Sequence, residues 1–193
     1  MASKSIMIVG VGGQGTLLAS RLLGQALLSK GFDVKVSEVH GMSQRGGSVV
    51  TYVKYSDKVH SPVVRDGEAD FILAFEQLES GRWIKHLKKD GKMIINTQQI
   101  DPMPVVIGAA KYPQGVVNAI EQNGVSTTSL DALTLAVQAG SSKAVNVVLI
   151  GVMASVMEFD KSVWIDAIKA TVPEKFLEMN LKAFDLGYNY KAI

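Results

Sequence analysis

The chain has 193 residues, of which 47% are hydrophobic and 20% are charged, and its formal net charge is +2. This length suits one domain and is too short for two full domains. The apolar content is typical of a folded globule and excludes a disordered tail. The near balance of charge argues against a nucleic-acid-binding protein.

Cysteine is absent from the sequence. Its absence excludes a disulfide framework, a catalytic cysteine, thiolate zinc sites and Cys-ligated iron–sulfur clusters on this chain. The three histidines, His40, His60 and His86, lack metal-ligand spacing, so we expect no metal site. The longest apolar run, residues 144–157, is shorter than the ~20 residues of a membrane span. No signal peptide precedes the first apolar segment, which predicts a cytoplasmic location without a membrane span.

Short apolar runs alternate with helical patterns along the chain, which predicts an α/β fold. In chain order we predict strand 6–9, helix 16–30, strands 34–39, 48–55, 63–64 and 71–75, helix 76–89 and strand 93–95. A brief strand at 105–107, helix 116–122, strand 124–128 and helices 131–140, 143–157, 161–171 and 173–186 follow. We therefore expect a Rossmann-like three-layer sandwich with a mostly parallel sheet and a C-terminal helical cluster, in one domain over residues 1–193.

A first glycine loop, Gly10-Val11-Gly12-Gly13-Gln14-Gly15, lies between the first predicted strand and the first predicted helix. It satisfies G-x-G-x-x-G in the context that the motif requires. Glycines there permit a tight turn, and the free N–H groups of the helix N-terminus favour an anion such as phosphate. Glu38, at the end of the second strand, is placed to bind the ribose of a dinucleotide.

Other features weaken a plain dinucleotide-binding interpretation. Only eight residues, 40–47, separate the second and third predicted strands, which leaves no room for a crossover helix between parallel strands. No complete acid–base pair or nucleophile follows, and Thr16-Leu17 replaces the Lys and Ser/Thr of a P-loop. Two alternatives remain open: an NAD- or FAD-binding oxidoreductase that uses the first loop and Glu38, and a scaffold whose glycine loops only permit close turns.

A second glycine loop, Gln44-Arg45-Gly46-Gly47, follows the second strand. If the first two strands are parallel neighbours, both loops emerge at the same carboxyl edge of the sheet, where α/β proteins bind ligands. Gln14, Ser43, Gln44 and Arg45 would then line one polar concavity. Arg45 offers a planar fork for a carboxylate or phosphate, and an anchoring role within its own loop is an equal alternative.

The two glycine loops together resemble the gamma subunit, or gamma domain, of 2-oxoacid:ferredoxin oxidoreductases. The longer run over residues 37–47, SEVHGMSQRGG, is most similar to the separate beta subunit of the indolepyruvate type, because Gln44 and the His40-Gly41 pair depart from the pyruvate-type pattern. A pyruvate-type gamma subunit remains an alternative. The resemblance covers nearly the whole chain.

The resemblance implies a non-catalytic subunit of an enzyme that decarboxylates a 2-oxoacid with thiamine diphosphate, forms an acyl-coenzyme A and passes electrons to ferredoxin. It implies that thiamine diphosphate and iron–sulfur clusters belong to the catalytic partner subunit, that this chain binds no cofactor alone, and that coenzyme A is shared. A homodimer of the isolated chain is left open as an alternative to a monomer. The residues expected in ligand- or partner-binding loops are Gly10, Gly12, Gly13, Gln14, Gly15, Ser43, Gln44, Arg45, Gly46 and Gly47.

Overall fold

A computed structural model describes residues 3–40 and 46–191 of the chain. Within these residues six strands form one sheet, in the order β2-β3-β1-β4-β5-β6. The strands are β1 (Lys4–Val11), β2 (Asp33–His40), β3 (Ser48–Ser56), β4 (Ala69–Ala74), β5 (Leu87–Asn96) and β6 (Ser126–Leu130).

The direction of β3 distinguishes this sheet from a purely parallel one. Strands β1, β4, β5 and β6 pair in parallel, whereas β3 is antiparallel to both β1 and β2. The prediction that β1 and β2 could be neighbours is therefore wrong, because β3 lies between them. The short connection after β2 allows an antiparallel pairing but no parallel crossover. Both β1 and β2 still run in the same direction, and the mostly parallel sheet is confirmed.

Helices cover both faces of the sheet and complete three layers. They are α1 (Thr16–Ser29), α2 (Gln77–Trp83), α3 (Met103–Val106), α4 (Val116–Gln122), α5 (Ala132–Ala139), α6 (Val145–Val156), α7 (Lys161–Thr171) and α8 (Leu177–Tyr188). Helices α1 and α5 to α8 pack in the larger core, whereas α4 packs in a smaller core on the other face. The expected three-layer sandwich with a C-terminal helical cluster is confirmed.

The side chains of β1 point alternately to the two faces of the sheet, so this strand contributes to both cores. Ile6 and Ile8 belong to the larger core, and Met7 and Val9 belong to the smaller one. Successive side chains of a strand point to opposite faces, so a strand that is covered on both sides is apolar throughout. This is why the run Ile6 to Val9 contains no polar residue.

Helix α6 is the most enclosed helix of the larger core, with ten of its twelve residues buried. Its backbone touches that of α8. A Cβ atom added at Gly151 would lie 2.3 Å from the carbonyl oxygen of Phe184, and one at Gly187 would lie 2.0 Å from that of Val148. Both positions therefore require glycine for the two helices to cross this closely.

The predicted helix over residues 76–89 is wrong in its second half. Helix α2 ends at Trp83, a 3₁₀ turn covers Ile84–His86, and β5 begins at Leu87. Lys88 lies in that strand, and its Nζ atom is 2.7 Å from Oδ1 of Asp70 on β4. Pairing with β4 thus outweighs the local helix pattern of residues 84–89.

Two short predicted strands are also wrong. Residues 63–64 belong to no strand, although Val64 packs in the smaller core. Residues 105–107 cover the end and the C-cap of the short helix α3, which has Pro102 as its N-cap and Pro104 as its second residue. Proline fits the first turn of a helix because the missing N–H group has no intrahelical partner there.

No helix within the described ranges is long and apolar enough to cross a membrane.

Replacing glycine by alanine is expected to have opposite effects on stability at two positions in the helices. We expect Gly187→Ala to destabilise the chain by about 1–3 kcal/mol or more, because its Cβ meets the backbone of α6. Gly24→Ala, in the interior of α1 where no atom lies within 4 Å of the new Cβ, is expected to stabilise by about 0.5–1 kcal/mol. Urea unfolding followed by circular dichroism measures both free energies, and equal stabilities would contradict the close crossing of α6 and α8.

Candidate functional site

The first glycine loop connects β1 to α1 at the carboxyl edge of the sheet. Gly13 and Gly15 adopt φ angles of 103° and 83°, a left-handed conformation that favours glycine. Gly15 is the N-cap of α1, and no side chain caps this helix end. The first backbone N–H groups of α1 are therefore left without a capping side chain.

The second glycine loop lies directly against the first. The N–H group of Gly12 donates to the carbonyl oxygen of Gly47 at 2.9 Å. The N–H group of Gly46 donates to the carbonyl oxygen of Gly12 at 3.4 Å. The expectation that both loops meet at one edge therefore holds for the described residues, although β1 and β2 are not neighbours. Ser43, Gln44 and Arg45 lie outside the described residues.

Gln14 fastens the first loop to the strands beside it. Its Oε1 atom accepts a hydrogen bond from the N–H group of Val11 at 2.8 Å. Its Nε2 atom donates to the carbonyl oxygen of Phe75 at 2.9 Å and to Oε1 of Gln98 at 3.3 Å. Both ends of the amide are thus engaged within the chain, so Gln14 shapes the loop.

Two further amides, which the sequence analysis missed, extend this network. Asn96 is fully buried and donates to the carbonyl oxygen of Phe75 at 3.0 Å and to Oε1 of Gln98 at 3.3 Å. Its Oδ1 atom accepts from the N–H group of Ala132 at 3.2 Å, at the start of α5. Because Oε1 of Gln98 accepts from both Gln14 and Asn96, the NH₂ group of Gln98 is left as a donor. The polar residues directly after the apolar run Met93 to Ile95 were the available sequence signal.

The buried carboxylate of Glu76 holds the segments that follow β4 and β5 at the carboxyl edge of the sheet. Glu76 lies two residues after the end of β4 and is 1% exposed. It accepts hydrogen bonds from the N–H groups of Glu79 at 3.0 Å and Ile100 at 3.1 Å, and from the hydroxyl group of Tyr112. Burial and the hydrogen bond to Glu76 raise the pKa of Tyr112 above its ordinary value. The carboxylate is engaged in capping α2 and holding the loop, which the sequence analysis did not anticipate.

Asn146 connects the first glycine loop to α6. Its Nδ2 atom donates to the carbonyl oxygen of Gly15 at 3.3 Å, and its Oδ1 atom accepts from the N–H group of Val147 at 2.9 Å. A Cβ atom added at Gly15 would lie 2.7 Å from that Nδ2 atom. Gly15 therefore has two reasons to be glycine: its φ angle and the approach of Asn146.

The first loop separates two clefts. The smaller, of about 430 Å³, includes Glu38 and Thr16 among its lining residues. The larger, of about 620 Å³, lies between the loop and the start of α6 and includes Gln98, Ile100 and Lys143. Lys143 is the one charged side chain among the described residues that line the larger cleft. This cleft thus combines a cation and amide donors with an apolar wall, which suits an organic anion.

Metal chemistry has no matching donor set in the described ranges. No three or more His, Asp or Glu side chains there are grouped so that they could hold a metal ion. The full sequence also has no cysteine, and iron–sulfur clusters are held by cysteine thiolates. An iron–sulfur cluster does not fit the residues of this chain.

A family model, pyruvate ferredoxin/flavodoxin oxidoreductase, matches residues 5–190. The chain belongs to this family. The resemblance that the two glycine loops predicted is thereby confirmed. The chain is 44% identical to the indolepyruvate oxidoreductase subunit IorB of Pyrococcus horikoshii, over 97% of this chain and 95% of the relative. It is 27% identical to the pyruvate synthase subunit PorC of Methanocaldococcus jannaschii, over 93% and 92% of the two chains.

Solved structures share the fold. The gamma subunit of a keto/oxoacid ferredoxin oxidoreductase from Geobacter sulfurreducens matches with a TM-score of 0.72 and 24% identity, over 96% of each chain. A 2-oxoglutarate:ferredoxin oxidoreductase from Magnetococcus marinus, with 2-oxoglutarate, coenzyme A and succinyl-CoA bound, matches with a TM-score of 0.71 and 18% identity. That match covers 96% of this chain and 30% of the larger one.

The contact between Tyr112 and Glu76 predicts a measurable contribution to stability. We expect Tyr112→Phe to cost about 1–3 kcal/mol, because the buried carboxylate loses a donor. Tyr52→Phe is the matched control, since no hydrogen bond of its hydroxyl group is found among the described residues, and it is expected to change stability by less than about 0.5 kcal/mol. Chemical unfolding of both variants tests this, and equal losses would contradict a structural role of the Tyr112 hydroxyl group.

Proposed function

We propose that this chain is the non-catalytic, gamma-type subunit of an indolepyruvate-type 2-oxoacid:ferredoxin oxidoreductase, with residues 1–193 forming one gamma-type domain. The observation that carries the proposal is 44% identity to an indolepyruvate oxidoreductase subunit over 97% of this chain. The pyruvate synthase relative of similar length is 27% identical, which favours the indolepyruvate type over the pyruvate type.

A division of labour between subunits is consistent with the chemistry of the site. The catalytic subunit would carry thiamine diphosphate and the iron–sulfur clusters, and would pass electrons to ferredoxin. The described residues that line the larger cleft include no His, Asp, Glu or Tyr side chain, and the carboxylate of Glu76 is engaged in three hydrogen bonds. This chain therefore offers binding groups at its edge, and proton transfer is left to the partner subunit.

The partner subunit would dock against the carboxyl edge. Beyond Ile100, which lines the larger cleft, the same connection exposes three apolar side chains: Met103, Val106 and Ile107 are 67%, 65% and 68% exposed. Apolar side chains grouped on a surface are typical of protein interfaces. The glycine loops lie at the same edge, so one docked subunit could cover both features.

Coenzyme A is the ligand that the larger cleft suits best. Lys143 can pair with a phosphate group, and the NH₂ group of Gln98 can donate to another oxygen. Gly15, the N-cap of α1, also lines this cleft, and the uncapped N–H groups of that helix end favour an anion. The apolar side chains of Ile100 and Leu133 provide surface for the uncharged part of the molecule.

The docking edge can be tested by assembly. We expect Ile107→Glu to weaken the complex with the co-expressed catalytic subunit about tenfold or more, because it places a charge in an apolar interface. Leu28→Glu, at the far end of α1 and 55% exposed, is the matched control and should leave assembly unchanged. Affinity purification followed by sedimentation measures the association. Equal assembly of both variants would place the interface elsewhere.

The cleft can be tested by kinetics on the assembled complex. We expect Lys143→Glu to raise the KM for coenzyme A about tenfold or more, because a charge-assisted hydrogen bond is replaced by repulsion. Lys182→Glu, on α8, makes the same charge change outside the cleft and should leave this KM unchanged. The assay is 2-oxoacid-dependent reduction of ferredoxin, compared across indolepyruvate and pyruvate.

The same preparations separate the proposal from its alternatives. Activity that requires both subunits, with indolepyruvate preferred, would support it. Pyruvate preference would favour the pyruvate type. A failure to associate, together with a thermal shift of the isolated chain on adding NAD(H) or FAD, would instead support a dinucleotide-binding oxidoreductase.

A further inference from the structure

A separate cavity of about 280 Å³ lies at the opposite edge of the sheet from the glycine loops. It forms where β1 and β4 begin, β3 ends and the chain leaves α6, with Lys4, Tyr55, Phe71 and Glu158 among its lining residues. This space is large enough for one small organic molecule.

Aromatic rings form one side of this cavity. Tyr55, Phe71 and Phe159 all line it, and the ring centroids of Tyr55 and Phe159 are 6.4 Å apart. Phe159 also packs at 6.3 Å against the buried ring of Trp164, which fixes its position. Such a wall favours a flat apolar group, because aromatic rings pair by stacking or edge-to-face contact.

The hydroxyl group of Tyr55 is a polar group without a hydrogen-bond partner among the described residues. Tyr55 is only 4% exposed. Burial raises its pKa to about 12, and the nearby carboxylates of Asp70 and Glu158 add to the effect. Both carboxylates line the cavity, so the hydroxyl group lies on the side of the ring that faces it. A hydroxyl group that faces the cavity can donate a hydrogen bond to a ligand bound there or accept one from it.

Opposite charges line the same cavity without pairing to each other. Lys92 and Glu158 both belong to its lining, and no ion pair of either is found within the described ranges. Asp70, in contrast, is already paired with Lys88 at 2.7 Å and Lys4 at 3.6 Å. Glu158 follows the carboxyl end of α6, where the helix dipole also favours a cation.

We infer that this cavity binds a free aromatic α-amino acid. Its ammonium group would face Glu158 and the end of α6, its carboxylate would face Lys92, and its ring would lie against Phe71 and Phe159. This inference is independent of the proposed function, because it concerns the edge of the sheet that is opposite the glycine loops.

Ligand chemistry is tested on the full purified chain by isothermal titration and thermal unfolding. Phenylalanine and tryptophan are the probes. Phenylacetate lacks the ammonium group, phenethylamine lacks the carboxylate and glycine lacks the ring. We expect each of these three analogues to bind about fivefold more weakly or worse, since each loses one contact. Binding of phenylacetate or phenethylamine as tight as that of phenylalanine, or no binding by either amino acid, would overturn the inference.

Matched variants locate the binding. Glu158→Gln and Lys92→Gln should each weaken phenylalanine binding about fivefold, whereas Lys89→Gln, exposed on the same strand but outside the lining, should not. Tyr55→Phe keeps the ring and removes only the hydroxyl group, so it should weaken binding while the chain stays folded by circular dichroism. Equal effects of Lys89→Gln and Lys92→Gln would overturn the assignment.

Discussion

The backbone hydrogen bonds between Gly12 and residues 46–47 determine the layout of the candidate site. Gly12 donates to one glycine of the second loop and accepts from the other, so the two loops form a single backbone unit. This contact depends on β3 running antiparallel beside β1, with Val11 opposite Ser48. The second loop therefore reaches the first through β3, even though the strand before it, β2, is two positions away from β1.

Buried and half-buried polar side chains at this edge hold the loops in place. Gln14 and Asn96 both donate to the carbonyl oxygen of Phe75 and to the amide oxygen of Gln98. The buried carboxylate of Glu76 accepts hydrogen bonds from three donors. Because a buried polar group is costly unless it is hydrogen-bonded, these networks favour one arrangement of the edge. In the larger cleft, Lys143 and the NH₂ group of Gln98, which has no acceptor among the described residues, can bind an anion but offer no base. Such an edge suits a subunit that presents binding groups to a catalytic partner.

Helices and strands with a clear hydrophobic period or clear terminal residues could be predicted from the sequence. The predicted helix over residues 161–171 has the observed bounds, and so has that over residues 116–122. The predicted helix over residues 76–89 ends early because Lys88 and its partner Asp70 meet in adjacent parallel strands. That pairing is tertiary and outweighs local helix propensity. The order of the strands could not be predicted either, because the pattern of apolar residues in β1 and β2 does not specify which strand lies beside which.

By itself, the sequence determined the α/β class, the two glycine loops and the family, because these follow from local patterns and from residue identities along nearly the whole chain. It also determined that no cysteine is present to hold an iron–sulfur cluster. Only the tertiary structure decided which polar side chains are used up within the chain. Gln14 bonds to groups 61 and 84 positions away, and contacts between residues so distant leave no periodic trace in a single sequence. They arise only when the packed layers bring the carboxyl ends of β1, β4 and β5 together.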